Sequence, residues 1–220
     1  DKEGIRYYND VYFLREDPTS TEALKNAGVT QAKSVIILSD ATNDKPDPQT
    51  IICCLAIDKL AKAGLNRKSG QKASSNENAK PHIIAELMDR SNRDLAKQAG
   101  ADEVVSAGFY RTGIMLQSAL YHGLSDIFHD LLQYEDTKTS VYIVELSRVK
   151  NVAEYKNKSF IEVANLLNNA KLKANSAILI GVKRDGKVLL NPQSAGKKAE
   201  FDKFKENDAL IVLADKYPQL

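Results

Sequence analysis

The fold is decided by the stretch Pro81-His-Ile-Ile-Ala-Glu-Leu-Met-Asp-Arg-Ser-Asn-Arg-Asp-Leu-Ala-Lys-Gln-Ala-Gly-Ala-Asp-Glu-Val-Val-Ser106. The apolar run over residues 82–87 predicts a buried strand. The polar residues after it predict a turn and a short amphipathic helix that ends at Gly100, and residues 103–106 predict a second strand. A strand, a helix and a strand in this order form one crossover unit of a parallel sheet.

A second unit of the same kind lies upstream. Residues 34–40, Ser-Val-Ile-Ile-Leu-Ser-Asp, predict a strand that ends in an acidic turn, and a helix is predicted from about residue 48 to residue 63. Before it, residues 11–14 predict a short strand, and a helix over residues 22–27 is capped by Ser20 or Thr21 and ended by Gly28. The fold class is therefore α/β, a partial Rossmann-like parallel sheet, and ligands of such sheets bind beyond the carboxyl ends of the strands.

From Phe109 onward the apolar residues recur at helical spacing, which predicts an amphipathic helix. Gly123 interrupts this pattern, Ser125 offers a cap, and a second apolar stripe follows. Two helices around a tight turn form an arm. Its apolar face either packs on another subunit or closes an intramolecular hairpin.

The last third of the chain has a different rhythm. A polar linker is predicted over residues 134–139, strands over 141–146, 177–183 and 187–190, a helix over 159–168, and a final strand within 204–214. Arg184-Asp-Gly186 is a hairpin signal. We expect three parts: an N-terminal lobe over residues 1–108 with a surface insertion at 65–81, an arm and linker over 109–139, and a small α+β lobe over 140–220.

Composition excludes several classes of protein. The 220 residues include 43% hydrophobic side chains, enough for real cores, and 31 basic against 29 acidic side chains leave no electrostatic footprint for nucleic acid. No apolar run approaches the roughly 20 residues that cross a bilayer. Cys53 and Cys54 are adjacent in an apolar helical run, so they are interpreted as reduced core residues of a cytosolic protein; a vicinal redox pair lacks the Cys-x-x-Cys spacing.

Several pieces together resemble the RCK family, the regulator-of-potassium-conductance domains also found in Trk-type and Ktr-type transport regulators. In the N-terminal half the matching pieces are Glu16-Asp-Pro-Thr19, Thr21-Glu-Ala-Leu-Lys-Asn-Ala-Gly-Val29, Ala32-Lys-Ser-Val-Ile-Ile37, Ile83-Ile-Ala-Glu86 and Ala99-Gly-Ala-Asp-Glu-Val-Val105. In the tail they are Lys158-Ser-Phe-Ile161, Ile180-Gly-Val-Lys-Arg-Asp-Gly186, Leu190-Asn-Pro192 and Phe204-Lys-Glu-Asn-Asp-Ala-Leu-Ile211. Their order and spacing extend over nearly the whole chain.

The resemblance implies a cytoplasmic regulatory domain that does no chemistry. In this family ligand binding between lobes changes the angle of a dimer, and a ring of dimers pulls on a membrane channel or transporter. A homo-oligomer, a dimer or an octameric ring, and a potassium channel or transporter pore as partner are therefore expected. The helical arm is expected to exchange between two protomers, with an interface formed by Phe109, Ile114, Met115, Leu116, Leu120, Ile127, Phe128, Leu131 and Leu132.

One family feature is missing. The first strand of the family carries a Gly-x-Gly-x-x-Gly turn, whose amides approach phosphates, and no Gly-x-Gly occurs in this chain. The chain begins near the family's third strand, which would leave two strand edges unpaired in the middle of the sheet. Three explanations are open: the chain is a fragment, another polypeptide fills the gap, or the sheet has rearranged. We favour the explanation that the chain is a fragment.

Asp17, Asp40 and Glu86 are the candidate ligand-binding residues, because they lie at or near the carboxyl ends of three successive strands. Carboxylates there can hold Ca²⁺ or another hard cation, or contact a ribose hydroxyl, so adenine nucleotide and divalent cation both stay open as ligands. Turn and cap chemistry is the favoured alternative for Asp17 and Asp40. Glu86, in an apolar strand, should be partly buried and therefore paired.

Some calcium-gated family members carry two acidic residues alternating on this strand and one on the preceding strand. Here Met88 and Leu38 occupy the other two positions, which argues against the known calcium site and favours a salt bridge or an intersubunit contact for Glu86. For Asp44 and Asp47 cation coordination is an alternative, but a solvated, proline-containing loop is the favoured interpretation.

No catalytic residue is predicted. His122 and His129 lie on the two arm helices and His82 at a strand start, but two histidines without cysteines are a poor metal signal, and no Gly-x-Ser-x-Gly elbow occurs. The alternatives to a fused gating domain are a fragment of an NAD-dependent oxidoreductase and a soluble regulatory subunit of a separate potassium transporter.

Overall fold

The computed structural model describes residues 11–40, 42–67, 80–133, 139–170, 177–193 and 200–218. The chain divides into two compact units, Asp1–Leu116 and Gln117–Leu220, with the division inside the first arm helix. Most of the predicted insertion, residues 68–79, and most of the predicted linker, residues 134–138, lie outside the described residues. The predicted domain bounds at 108 and 139 stay predictions.

A three-stranded parallel sheet forms the framework of the first unit. Its strands are β1 (Ser34–Ile37), β2 (His82–Glu86) and β3 (Glu103–Val105), in the order β1-β2-β3. Val35 pairs with Ile83, and Ala85 pairs with Val104. The central strand buries alternate side chains, Ile83 and Ala85. The predicted α/β class and all three of these strands are confirmed.

Three helices accompany this sheet, namely α1 (Thr21–Asn26), α2 (Pro46–Arg67) and α3 (Arg93–Gln98). Ser20 caps α1 as predicted, its hydroxyl accepting the Ala23 amide. The core between helices and sheet comprises Leu24, Val29, Cys54, Ile57, Leu60, Ile83, Ala85, Leu87, Ala96, Ala99 and Ala101. The two cysteines of α2 are buried, which confirms their interpretation as core residues.

Gly100 ends α3 because no other residue fits there. Its φ of 107° is rarely adopted by L side chains, and a Cβ at this position would lie 2.6 Å from the Cβ of Asp58 on α2. Asp58 is itself buried and pairs with Lys62 at 2.6 Å and with Lys80 at 3.3 Å. Burial raises the pKa of the Asp58 carboxyl, but the hydrogen bonds from the two lysines outweigh it and hold the pKa below its usual value.

The predicted strand over residues 11–14 is wrong. These residues lie in no strand, and Tyr12 and Phe13 expose 91% and 75% of their surface. An isolated extended segment gains no ladder hydrogen bonds, and among the described residues β1 pairs only with β2. A β-favouring composition alone therefore did not make a strand here.

Two helices follow β3, α4 (Ala107–Leu120) and α5 (Leu124–Leu132). Gly123, with φ of 85°, occupies the cap position before α5, so the predicted cap at Ser125 is wrong and Ser125 lies inside the helix. Neither helix contains a buried residue. No helix in the described part of the chain combines the length and apolar character that crossing a membrane requires.

The second unit contains a four-stranded antiparallel sheet and one further helix. The strands β4 (Ser140–Glu145), β5 (Ala177–Arg184), β6 (Lys187–Leu190) and β7 (Ala209–Ala214) lie in the order β4-β7-β5-β6. The predicted hairpin joins β5 to β6, with Asp185 and Gly186 at φ of 49° and 77°, as a two-residue hairpin turn requires. The helix α6 (Phe160–Ala170) begins with a capping box in which Ser159 and Glu162 bond each other.

The core of this unit is aromatic. Phe204 is fully buried, contacts Phe201 edge-on with ring centroids 4.8 Å apart, and stacks on Phe160 at 6.5 Å. Beneath this cluster, Asp208 is 2% exposed and forms two hydrogen bonds with Arg184. The predicted small α+β lobe is therefore confirmed, with an ion pair in its interior that the sequence pattern did not reveal.

Candidate functional site

The carboxyl ends of β1 and β2 lie side by side, and Glu86 connects them. Its Oε2 accepts the backbone amide of Ser39 at 3.0 Å, where the chain leaves β1. Glu86 is half-buried, as its place in an apolar strand suggested. Among the described residues it forms no ion pair, so its visible partner is a backbone amide rather than the salt bridge considered from the sequence.

Asp17 and Asp40 each close a small turn. Oδ1 of Asp17 accepts the amide and hydroxyl of Thr19 at 2.8 and 2.7 Å. Oδ1 of Asp40 accepts the hydroxyl and amide of Thr42 at 2.6 and 2.9 Å. These bonds favour the charged carboxylate. The Thr19 amide is the main cause that lowers the pKa of Asp17, and the Thr42 hydroxyl is the main cause that lowers the pKa of Asp40.

The hydrogen bonds of the two turns end on Oδ1 of each aspartate. Neither Oδ2 forms a hydrogen bond with a residue in the described ranges. Both aspartates are exposed. The turn interpretation and a ligand-binding role are therefore compatible, and the binding role of Asp17, Asp40 and Glu86 stays a prediction.

A cavity of about 360 Å³ lies beside β1. Asp40 lines it, and so does Pro18, the residue after Asp17; Glu86 does not line it but holds Ser39, the neighbour of Asp40. The structure thus places Asp40 in the lining of this cavity. Asp17 is the sequence neighbour of the lining residue Pro18, and Glu86 is bonded to the sequence neighbour of Asp40. The lining comprises Pro18, Leu24, Val35, Ile36, Ile37, Leu38, Asp40, Pro46, Gln49, Thr50, Cys53 and Ile57.

Asp47 is the residue whose role the sequence analysis missed. The solvated-loop interpretation is wrong for it, because Asp47 lies in the first turn of α2 and is 4% exposed. Its carboxylate accepts the amides of Met88 and Asp89 at 2.8 and 3.0 Å and the side-chain amide of Asn92 at 2.8 Å. It fixes the turn after β2. An aspartate directly after a proline at a helix start was the available signal, since acidic residues favour that position.

The described His, Cys, Asp and Glu side chains do not form a metal site. Within the described ranges, no group of three or more His, Cys, Asp or Glu side chains is arranged to hold a metal ion. His122 and His129 are both exposed. His82, for which the sequence showed no partner, has its Nδ1 at 3.9 Å from Oδ2 of Asp102, the residue that also accepts the Ile83 amide.

The nine predicted interface residues of the arm are apolar, and six of them are exposed in the single chain. Met115, Leu116, Leu120 and Leu132 expose 67%, 63%, 66% and 74% of their surface. Phe109 and Ile127 are about half exposed, and Ile114, Phe128 and Leu131 are intermediate. Their role as an interface stays a prediction.

Comparison with known proteins shows what this chain is similar to. The family described as calcium-activated potassium channel slowpoke-like RCK domain matches residues 1–85. The calcium-gated potassium channel TvoK of Thermoplasma volcanium is 33% identical over 137 residues, which cover 60% of this chain and 34% of the channel. The probable ion channel POLLUX of Arabidopsis thaliana is 27% identical over 197 residues, which cover 87% of this chain and 20% of that protein.

The fold is also found among solved structures. The human SLO3 gating ring aligns with a TM-score of 0.66 and 16% identity, over 96% of this chain and 37% of that one. This chain spans about a third of the length of TvoK and about a fifth of the POLLUX protein. The match over residues 1–85 and the similarity to TvoK support an RCK domain in this chain, and the fold it shares with the SLO3 gating ring agrees with that.

Proposed function

We propose that this chain is a cytoplasmic regulatory domain that gates a potassium channel or transporter and works as a dimer, or as a ring of dimers, without doing chemistry. Two of its sequence relatives bear the names of a calcium-gated potassium channel and a probable ion channel. The observation that carries the proposal is the arm formed by α4 and α5, whose apolar side chains are exposed in the single chain.

The arm has the character of a subunit interface. Soluble monomers rarely expose contiguous apolar patches of more than a few hundred Å², and larger patches mark interaction sites. Four large side chains, Met115, Leu116, Leu120 and Leu132, are each at least 63% exposed. A second copy of the arm is the partner we propose, since oligomers of identical chains commonly pair the same patch twice.

Gating requires a ligand that distinguishes two arrangements of the dimer, because a ligand with equal affinity for both shifts neither. We propose the edge with Asp17, Asp40 and Glu86 as the place where that ligand binds. Adenine nucleotides and divalent cations are the two classes to test. Met88 and Leu38 stand where further carboxylates would strengthen a cation site, and this favours the nucleotide.

The arm proposal is tested by placing charge on it. Leu116→Lys together with Leu132→Lys should convert a dimer into a monomer in sedimentation equilibrium, because burying two unpaired ammonium groups is unfavourable. Ile161→Lys is the matched control, since Ile161 is 61% exposed on α6, outside the arm. A wild-type chain that sediments as a monomer, or a double variant that remains dimeric, contradicts the proposal.

The ligand proposal is tested by thermal unfolding with AMP, ADP, ATP, NADH, Ca²⁺ and Mg²⁺. A ligand that binds only the native state raises the melting temperature. Asp40→Asn should reduce that shift more than Asp44→Asn, because Asp40 lines the cavity and Asp44 does not. Hydride transfer from NADH to an added carbonyl substrate would instead support the oxidoreductase alternative.

A further inference from the structure

A second cavity lies at the carboxyl end of β3, where the chain enters α4. Its volume is about 190 Å³, and its lining consists of Arg90, Arg93, Val104, Ser106, Phe109 and Tyr110. The two arginines come from the turn after β2 and from the first residue of α3. This cavity shares no lining residue with the one beside β1.

The positive groups of this cavity lack acidic partners. The guanidinium of Arg90 lies over the ring of Phe109, 4.0 Å from its centroid. In the part of the chain that the structure describes, neither Arg90 nor Arg93 forms an ion pair or a side-chain hydrogen bond. Asp89 is the adjacent carboxylate in sequence, and its Oδ1 already accepts the Ser91 amide at 2.8 Å. Two arginines and no acidic residue are therefore among the described residues that line this cavity.

Ser106 adds a hydroxyl to the lining. The residue is 7% exposed and occupies the cap position of α4, where its carbonyl accepts the Tyr110 amide at 3.2 Å. Its hydroxyl forms no hydrogen bond with any residue of the described ranges. Ser106, Phe109 and Tyr110 of the lining stand at the start of α4, a helix of 14 residues, and the first amides of a helix lack intrahelical partners and carry the positive end of its dipole.

We infer that this cavity binds the phosphate group of a small ligand. Guanidinium forks match the geometry of phosphate oxygens, and a hydroxyl with helix amides completes a donor set that contains no competing acceptor charge. The volume is below the roughly 300–1,000 Å³ of sites that enclose a drug-sized ligand. It therefore accepts inorganic phosphate or the phosphoryl end of a larger molecule, and it is independent of the gating function proposed above.

The test is titration calorimetry of the 220-residue chain with inorganic phosphate and with AMP, at fixed ionic strength set by chloride. Phosphate should bind and chloride should not compete at equal concentration. Arg93→Gln and Arg90→Gln should each weaken binding about tenfold or more, as expected for loss of a charge-assisted hydrogen bond. Arg148→Gln, which removes a guanidinium elsewhere, should leave the affinity unchanged.

The two phosphate sources give different results. If AMP binds more tightly than phosphate and loses its affinity in the same variants, the ligand of this cavity is a larger molecule that carries a phosphate group. If the two affinities are equal, the ligand is free phosphate. Arg90→Lys, which retains the charge, should bind better than Arg90→Gln and separates a lost contact from a disturbed fold. Binding that survives unchanged in the Arg90→Gln, Arg93→Gln double variant, or no phosphate binding by the folded wild type, overturns the inference.

Discussion

Asp47 accepts the backbone amide of Met88 at 2.8 Å, across 41 residues of sequence. The same carboxylate also accepts the amide of Asp89 and the side chain of Asn92. One buried aspartate at the start of α2 therefore fixes the turn between β2 and α3, which leads to Arg90 and Arg93 of the second cavity.

Asp47→Ala should lower the free energy of unfolding by about 2–4 kcal/mol, because it leaves buried donors without an acceptor. Urea denaturation measures the change. Asp44→Ala is the matched control from the segment just before α2: Asp44 is exposed, and its removal should change the free energy of unfolding by less than about 0.5 kcal/mol. Equal effects of the two substitutions would show that the bonds of Asp47 do not stabilise the fold.

The ion pair between Arg184 and Asp208 should be the most sensitive polar contact of the second unit. Arg184 donates from Nε at 2.7 Å and from Nη2 at 2.6 Å to the two carboxylate oxygens of Asp208, which is 2% exposed. The hydrogen bond with Asp208 is the main cause that raises the pKa of Arg184. Asp208→Asn should cost about 3–5 kcal/mol, because it leaves a partly buried cation unpaired.

The control for this pair is Arg148 with Glu145, which are 2.7 Å apart but mostly exposed. Glu145→Gln should cost at most about 1 kcal/mol, as exposed pairs do. Denaturation of both variants in one urea series compares them directly. A small loss for Asp208→Asn would mean that the aromatic core of Phe201 and Phe204, rather than the ion pair, determines the stability of this unit.

Local sequence signals predicted local structure well in this chain. Ser20 caps α1, and Asp185 with Gly186 forms the hairpin turn, because each depends only on residues within a few positions. The parallel strands were also predicted, since the apolar run of β2, which buries alternate side chains, needs no distant information. The fold class could therefore be predicted from the sequence alone.

Long-range contacts were not predictable in the same way. Residues 11–14 have strand-forming side chains but lack a paired neighbour among the described residues, and composition carries no information about that neighbour. Asp47 and Asp208 are ordinary turn residues in sequence, and only the approach of Met88 or Arg184 gives them their role. Of the candidate site, the sequence indicated its edge of the sheet, but it did not indicate which carboxylate lines the cavity.

The aspartates that close turns predict an acid-dependent loss of stability. Hydrogen bonds hold the pKa values of Asp17 and Asp40 below the usual value of 3.8, so folding favours their charged forms. The stabilisation is fully present above that value and is lost as the pH falls through the lowered pKa values. When urea unfolding is measured from pH 7 to pH 3, the free energy of unfolding should decrease only at the lowest pH values.

Substitution identifies which carboxylates cause this decrease. Asp17→Asn with Asp40→Asn should flatten the acid part of the profile, because the amide can still accept the threonine donors but does not titrate. Asp44→Asn should leave the profile unchanged, since the structure shows no hydrogen bond to its carboxylate from a described residue. A profile that is identical in all three proteins would assign the acid sensitivity to other groups.

The adjacent cysteines should resist modification in the native protein. Cys53 and Cys54 are 3% and 0% exposed, and burial raises the pKa of Cys54 to about 11. The thiolate is the reactive form, so at pH 8 about one Cys54 side chain in a thousand is ionised even before access is considered. Iodoacetamide followed by mass spectrometry should detect almost no labelling of Cys54 under native conditions, and full labelling of both residues in urea.

The rate of Cys54 labelling should follow the unfolding equilibrium. Asp47→Ala, which we expect to destabilise the unit containing α2, should therefore accelerate the labelling more than Asp44→Ala does. Rapid labelling of Cys54 without unfolding would contradict its place in the core and would revive the interpretation of the two cysteines as a redox pair.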